Sequence, residues 1–268
     1  MIFAILLAPA LVPSSYGQTA CSPSVLNIDG NRIWVDKEGK GGVTVVFEAG
    51  FGNDSSVWAK IAPAIQGAGV QTVVYDRAGM GKSSINTKKP YSIDNDAHIL
   101  RMSLDDCSIK GPIIMVGHSY GGAISLLAAS EDGRIKGVVL LDAVVPNAWP
   151  QSEVDKNLKN MRAQYAEIRE KAPELAKVAI PFAEAMPATA KEINAMRVPV
   201  DLPIIDVVAE KGQSDPESAA IWQNAHHAFT AHNPNRKYVF AAGSSHKVML
   251  DKPDLVVKTI QEMLATRP

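Results

Sequence analysis

The chain has 268 residues, 46% of them hydrophobic, and balances 27 Lys and Arg against 28 Asp and Glu. That length suits one large α/β domain carrying an insertion rather than two ordinary domains, and a formal net charge of −1 gives a polyanion such as nucleic acid nothing to hold. Cys21 and Cys107 are the two cysteines, too few for a disulfide-built scaffold or a cysteine-built zinc site.

Residues 2–12 form an apolar stretch interrupted by Pro9. It is too short to cross a bilayer as a helix, which argues against stable membrane insertion, but it suits the apolar region of a secretory leader. Small residues follow in Ser15-Tyr16-Gly17 and Gln18-Thr19-Ala20, while the usual basic start is missing, the first cation being Arg32. The expectation is export to the periplasm or the medium, with residues 1–20 as the leader and 21–268 as the mature domain; a buried N-terminal strand is the alternative. In an oxidising compartment Cys21 and Cys107 could form one bridge, or they remain two thiols.

Residues 25–28 and 32–35 alternate apolar and polar around Asp29-Gly30-Asn31 and predict a hairpin. The runs at 43–47, 72–75, 113–116, 138–141, 204–208 and 238–241 are almost continuously apolar, as strands buried on both faces of a parallel sheet must be. Helical spacing of apolar residues marks 57–66, 93–107, 121–130, 217–230 and 255–266. The alternation breaks at 151–197, a stretch rich in Ala, Glu, Lys and Met between Pro146 and Pro150 on one side and Pro199 and Pro203 on the other. It predicts a helical lid, a cap over 147–200, inserted after the sixth strand. Met161, Met186 and Met196 either line an apolar pocket there or serve as ordinary core.

Gly117-His118-Ser119-Tyr120-Gly121 stands between the apolar run 112–116 and the helix-forming run 123–129, with a further glycine at Gly122. A G-x-S-x-G pattern between strand and helix is a nucleophile elbow, a turn so sharp that glycines must flank the serine. A serine hydroxyl needs a base, and His246 supplies one in the small-residue loop after the last strand. His98 lies mid-helix, His118 is locked in the elbow, and His226, His227 and His232 do not share a metal-binding face. For the acid that orients the histidine, the strand ends offer Asp142 after the sixth strand and Asp215 or Glu210 after the seventh.

Two other patterns fail. Gly79-Met80-Gly81-Lys82-Ser83 lacks the glycine that a phosphate-binding loop requires at 76, where Asp76 stands, and Gly67-Ala68-Gly69 lacks the preceding strand of a dinucleotide fingerprint. Asp76-Arg77 instead predicts a structural ion pair or hydrogen-bonded turn under the active-site loop.

From residue 25 to 264 the chain resembles the α/β-hydrolase superfamily. The likeness is carried by Phe47-Glu48-Ala49-Gly50-Phe51-Gly52, by Tyr75-Asp76-Arg77-Ala78-Gly79-Met80-Gly81-Lys82-Ser83-Ser84, by the elbow and by residues 243–253. It is similar to a branch of secreted or periplasmic serine esterases with Y-D-R-A-G-x-G-x-S after the fourth strand, although many relatives carry His-Gly at Ala49-Gly50. The resemblance implies an α/β-hydrolase fold, with a mostly parallel eight-stranded sheet flanked by helices. It also implies Ser119 as nucleophile, Asp142 ahead of Asp215 and Glu210 as acid, His246 as base, and the backbone N–H groups of Phe51 and Tyr120 as oxyanion hole. The implied activity is serine hydrolysis of a small-molecule carboxylic ester or lactone through an acyl-enzyme, with no cofactor and no metal. Amide, peptide or C–C cleavage on the same triad, and a non-catalytic ligand-binding scaffold, are the alternatives. Dehalogenase and epoxide hydrolase chemistry is disfavoured because serine replaces their nucleophilic aspartate, and nothing in the sequence specifies an oligomer.

Overall fold

Strands whose side chains are apolar on both faces need cover on both, and the chain supplies it by returning over the sheet as a helix after most strands. The computed structural model describes residues 21–66 and 69–266; the leader expected at 1–20 and Gly67-Ala68 lie outside the described residues. The strands are β1 (Ser24–Ile28), β2 (Asn31–Gly39), β3 (Val43–Glu48), β4 (Val70–Tyr75), β5 (Ile113–His118), β6 (Ile135–Leu141), β7 (Ile204–Lys211) and β8 (Arg236–Ser245). They form one eight-stranded sheet in the order β1-β2-β4-β3-β5-β6-β7-β8. β1 and β2 pair antiparallel, as the Asp29-Gly30 turn predicts, β2 runs antiparallel to β4, and every pairing from β4 through β8 is parallel.

The helices are α1 (Ala62–Ile65), α2 (Ile93–Asp106), α3 (Tyr120–Glu131), α4 (Gln151–Ala163), α5 (Tyr165–Lys171), α6 (Pro173–Ala195), α7 (Pro216–Thr230), α8 (Val248–Asp251) and α9 (Pro253–Ala265). Successive residues of β5 point to opposite faces. Ile113 and Met115 join a core shared with α2, α3, α6 and α7, and Ile114 and Val116 one shared with α1 and α9. β3 and β5 are buried at every position.

The single helix expected at 57–66 is instead a 3₁₀ turn at Ser55–Trp58, capped by Asp54, followed by the one-turn α1. Pro63 is the reason: it brings no N–H and clashes with a preceding turn, so it is accommodated only where a helix begins. The insertion after β6 is helical, as its composition predicts, and comprises α4, α5 and α6. Its methionines pack as core: Met186 is buried, and Met161 and Met196 lie against the same cluster. The two cysteines are joined as a Cys21–Cys107 disulfide that ties the segment before β1 to the end of α2. No helix among the described residues is long and apolar enough to cross a membrane.

Candidate active site

The elbow forms because β5 ends at His118 and α3 starts at Tyr120, which leaves a single residue to reverse the chain. Ser119 takes up that turn at φ 53° and ψ −126°, a conformation L side chains adopt only when the surroundings impose it. The surroundings here are backbone bonds: Ser119 N donates to the carbonyl of Leu141 at 3.2 Å, and the Ser119 carbonyl accepts from Gly122 and Val144, each at 2.9 Å. A Cβ on Gly121 would stand 2.5 Å from the carbonyl oxygens of both Glu48 and Ala49, so only glycine lets the loop after β3 close on the elbow. The N–H of Phe51, in that loop, and the N–H of Tyr120, at the positive end of α3, carry no hydrogen bond among the described residues. Both are free to receive negative charge.

His246 follows β8 and reaches back across the sheet edge. Its Nε2 lies 2.9 Å from Ser119 Oγ and its Nδ1 lies 2.6 Å from Asp142 Oδ2. A carboxylate only accepts, so Nδ1 carries the proton and Nε2 is left to accept from the serine hydroxyl. Asp142 sits just past β6, fully buried, at φ 44°. Its other oxygen, Oδ1, accepts from the Ala209 N–H at 3.0 Å and from Trp222 Nε1 at 2.9 Å. A Cβ on Gly212 would fall 2.3 Å from Asp142 Oδ2, so the loop after β7 must carry glycine there to pass over the carboxylate. The Asp142 side chain is sealed while the His246 side chain remains 36% exposed, which leaves the serine and imidazole reachable from solvent.

His118, inside the elbow, donates from Nε2 to the backbone carbonyl of His246 at 2.9 Å. Burial pushes its pKa down from the ordinary 6.5 to about 3, with the nearby His246 adding to the effect, so it stands neutral and ties the His246 backbone to the strand that leads into Ser119.

The structure brings Ser119, His246 and Asp142 together and keeps Asp215 and Glu210 apart from them. Asp215 caps α7 through the Ser218 N–H at 3.0 Å and pairs with Lys156 at 2.7 Å; that lysine, then Ser218, holds its carboxyl down at about 2. Glu210 Oε2 accepts from the Gly243 N–H at 2.6 Å and so anchors the end of β8 that leads to His246. Asp76 and Arg77 do not pair with each other. Asp76 forms the hydrogen-bonded turn, accepting from the N–H groups of Ser55 and Lys82 at 2.8 Å each. Arg77 turns inward to Glu48 at 2.7 Å and donates to the Ala49 carbonyl, also at 2.7 Å, two residues before Phe51. Burial holds the Glu48 carboxyl up at about 7 against the pull of Arg77, and Tyr75 donates to it.

The insertion leans on this site through α6. Phe182 stacks on Phe51 with ring centroids 3.8 Å apart and meets Tyr120 edge-on at 5.0 Å. Beside it, a groove of about 950 Å³ runs between α6 and residues 79–87, lined by Ile85, Val178, Ile180 and Pro181 among others.

Sequence reasoning missed Trp222, Gly212 and the inward partner of Arg77. All three act across the fold, and no local pattern announced them.

A serine at a strand-to-helix elbow of this sheet, facing a histidine after the last strand, defines a class, and the comparisons agree: residues 43–179 match the family described as alpha/beta hydrolase fold. The chain belongs to that family. The Bacillus subtilis protein YqjL is 28% identical over 240 residues, 85% of each chain. The Mycobacterium tuberculosis lipase LipV is 38% identical over 71 residues, 26% of each chain. Among solved structures, the haloalkane dehalogenase DatA from Agrobacterium tumefaciens superposes with a TM-score of 0.70 at 18% identity, covering 91% of this chain and 96% of that one. That likeness is one of fold, and a fold hosts many chemistries.

Proposed function

We propose that this protein is a serine hydrolase that cleaves a carboxylic ester or lactone of a small molecule through an acyl-enzyme. The observation that carries the reading is the continuous chain Asp142 Oδ2, His246 Nδ1, His246 Nε2, Ser119 Oγ, with bonds of 2.6 Å and 2.9 Å. In this reading His246 takes the Ser119 proton as Oγ attacks the acyl carbon, and Asp142 stabilises the imidazolium that forms. The N–H groups of Phe51 and Tyr120 receive the tetrahedral oxyanion; removing one such donor costs about 2.7–4 kcal/mol of transition-state stabilisation. His246 then protonates the leaving alkoxide, and water, deprotonated by the same imidazole, releases the acid. No step calls on a cofactor or a metal.

Ester rather than halide chemistry is supported by the nucleophile, a serine, and by the partial likeness to LipV. Helices α4 to α6 act as the lid, with Phe182 resting on Phe51. Export is supported by the Cys21–Cys107 bridge, which persists in oxidising compartments, and by the apolar stretch at 2–12. The test is a panel of p-nitrophenyl esters of graded acyl length together with simple lactones. Saturable turnover that disappears in a folded Ser119→Ala variant supports the reading. Turnover that survives Ser119→Ala, or none on any ester or lactone, rejects it.

A further inference from the structure

A second aspartate and histidine lie buried behind the acid of the triad. Asp206 occupies the middle of β7, in register with Leu140 of β6 and Tyr238 of β8. Its Oδ2 lies 2.7 Å from Nδ1 of His226 on α7, and both side chains are wholly buried. The serine chemistry uses neither. Between this pair and Asp142 stands Trp222, one helical turn before His226 on the same face of α7. The indole ring is 5.2 Å from the His226 ring and 6.3 Å from the His246 ring, and its Nε1 donates to Asp142 Oδ1 at 2.9 Å.

The carboxylate's two oxygens are divided by this arrangement. Oδ2 faces His246, while Oδ1 takes two donors from two different elements, the Ala209 N–H of β7 and the Trp222 indole of α7. The last torsion of an aspartate is soft and roughly two-fold, so a single donor would leave the carboxylate plane free to rock. A second donor from another direction fixes the plane and with it the direction of Oδ2 toward Nδ1. The indole can do this only if it is held itself. His226, tied to a buried carboxylate that would be left unpaired if the imidazole moved, supplies a fixed wall for it.

We propose that Trp222 is a positioning residue for Asp142, held in place by the buried Asp206–His226 pair, so that the triad carboxylate keeps one orientation toward His246. The inference rests on the serine-hydrolase reading for its effect on rate, but the geometry itself is testable without turnover. The competing account is that Trp222 only fills space. Replacing it with benzothienylalanine, which keeps the ring system and exchanges N–H for sulfur, separates the two; Trp222→Phe is the genetic counterpart.

Loss of one hydrogen bond to a charged group lowers kcat by about tenfold to a hundredfold, with KM changed less than about twofold because the ground-state contacts to substrate are intact. The proton NMR resonance of His246 Nδ1–H moves upfield and broadens in the folded isosteric variant, a change that a space-filling role for the ring does not produce. Wild-type kcat with an unmoved resonance in the benzothienylalanine protein overturns the proposal. Should the unsubstituted protein neither turn over esters nor bind a fluorophosphonate, the hydrolase reading fails, and the resonance still decides whether Trp222 positions Asp142. Removing the pair together as Asp206→Leu and His226→Phe shifts the same resonance; an unmoved signal there overturns the role given to the pair.

Discussion

Substituting Asp142→Asn changes one atom of the site, and the structure dictates the consequence. Oδ1 accepts from Ala209 N–H at 3.0 Å and Trp222 Nε1 at 2.9 Å. Two donors demand an oxygen there, so the asparagine carbonyl takes that place and its NH₂ group faces His246. An NH₂ group cannot accept from Nδ1–H, so the imidazole adopts its other tautomer, with the proton on Nε2 pointing at Ser119 Oγ. The serine then faces a donor instead of a base. Held in the wrong tautomer, a triad of this kind loses about 10⁴ in kcat, which is roughly 5.4 kcal/mol of barrier at 1.36 kcal/mol per decade. Stability suffers less, because both donors to Oδ1 stay satisfied and the charge-assisted bond to His246 gives way to a neutral one from the NH₂ group to Nδ1, a loss of about 1–2 kcal/mol. Steady-state kcat on a p-nitrophenyl ester, beside urea unfolding of the same preparation, measures both. In Asp215→Asn, by contrast, the cap and the Lys156 pair weaken while the rate holds. A folded Asp142→Asn enzyme within about tenfold of wild type, alongside an inactive Asp215→Asn, would refute the reasoning and move the acid to the loop after β7.

Three further outcomes follow from the same geometry. His118 is neutral in the folded chain, its pKa near 3 against an ordinary 6.5. Its stabilising contribution is therefore complete above 6.5 and is lost as pH falls toward 3, at about 1.4 kcal/mol per pH unit. In His118→Gln, which keeps a donor for the His246 carbonyl, the slope of unfolding free energy with pH between about 6 and 4 drops by one proton; an unchanged slope refutes the burial argument. Replacing Cys21 and Cys107 by serine frees residues 86 apart in sequence, so the unfolded chain gains freedom and stability falls by about 2–5 kcal/mol in urea titrations; an unshifted midpoint means the bridge constrains little. Phe182→Ala removes the ring stacked on Phe51 and widens the space beside the N–H groups of Phe51 and Tyr120. The ratio of kcat/KM for long over short acyl chains rises, and an unaltered chain-length profile would show that Phe182 does not bound the acyl site.

Local chain chemistry explains which parts could be read from sequence alone. Ser119 and His246 stood out as candidates because each sits in a contiguous signature, glycines around a strand-to-helix turn for one and a run of small residues closing the last apolar strand for the other. The parallel strands were identifiable because burial on both faces leaves an apolar run with no alternation. The acid stayed open because Asp142, Asp215 and Glu210 all follow strands. What separates them is Trp222, 80 residues from Asp142 in sequence, and the room that Gly212 leaves over the carboxylate. The partner of Arg77 was equally hidden: its neighbour Asp76 looked available, but backbone N–H groups already occupy that carboxylate, and Glu48 lies 29 residues back on an adjacent strand. The disulfide stood as one of two readings of the cysteine pair, bridge or free thiols, because its partners lie 86 residues apart and no local pattern brings them together. The helix at 57–66 failed for a local reason, Pro63, that apolar spacing overrode.

The most direct measurement is reaction with a fluorophosphonate followed by peptide mapping. A serine activated by His246 takes up one phosphonyl group per chain, on the peptide that contains Ser119, and the adduct vanishes in Ser119→Ala and forms far more slowly in His246→Ala. A folded protein that takes up no phosphonyl group, or carries it on another residue, contradicts the central claim that this elbow and this imidazole form a working nucleophile.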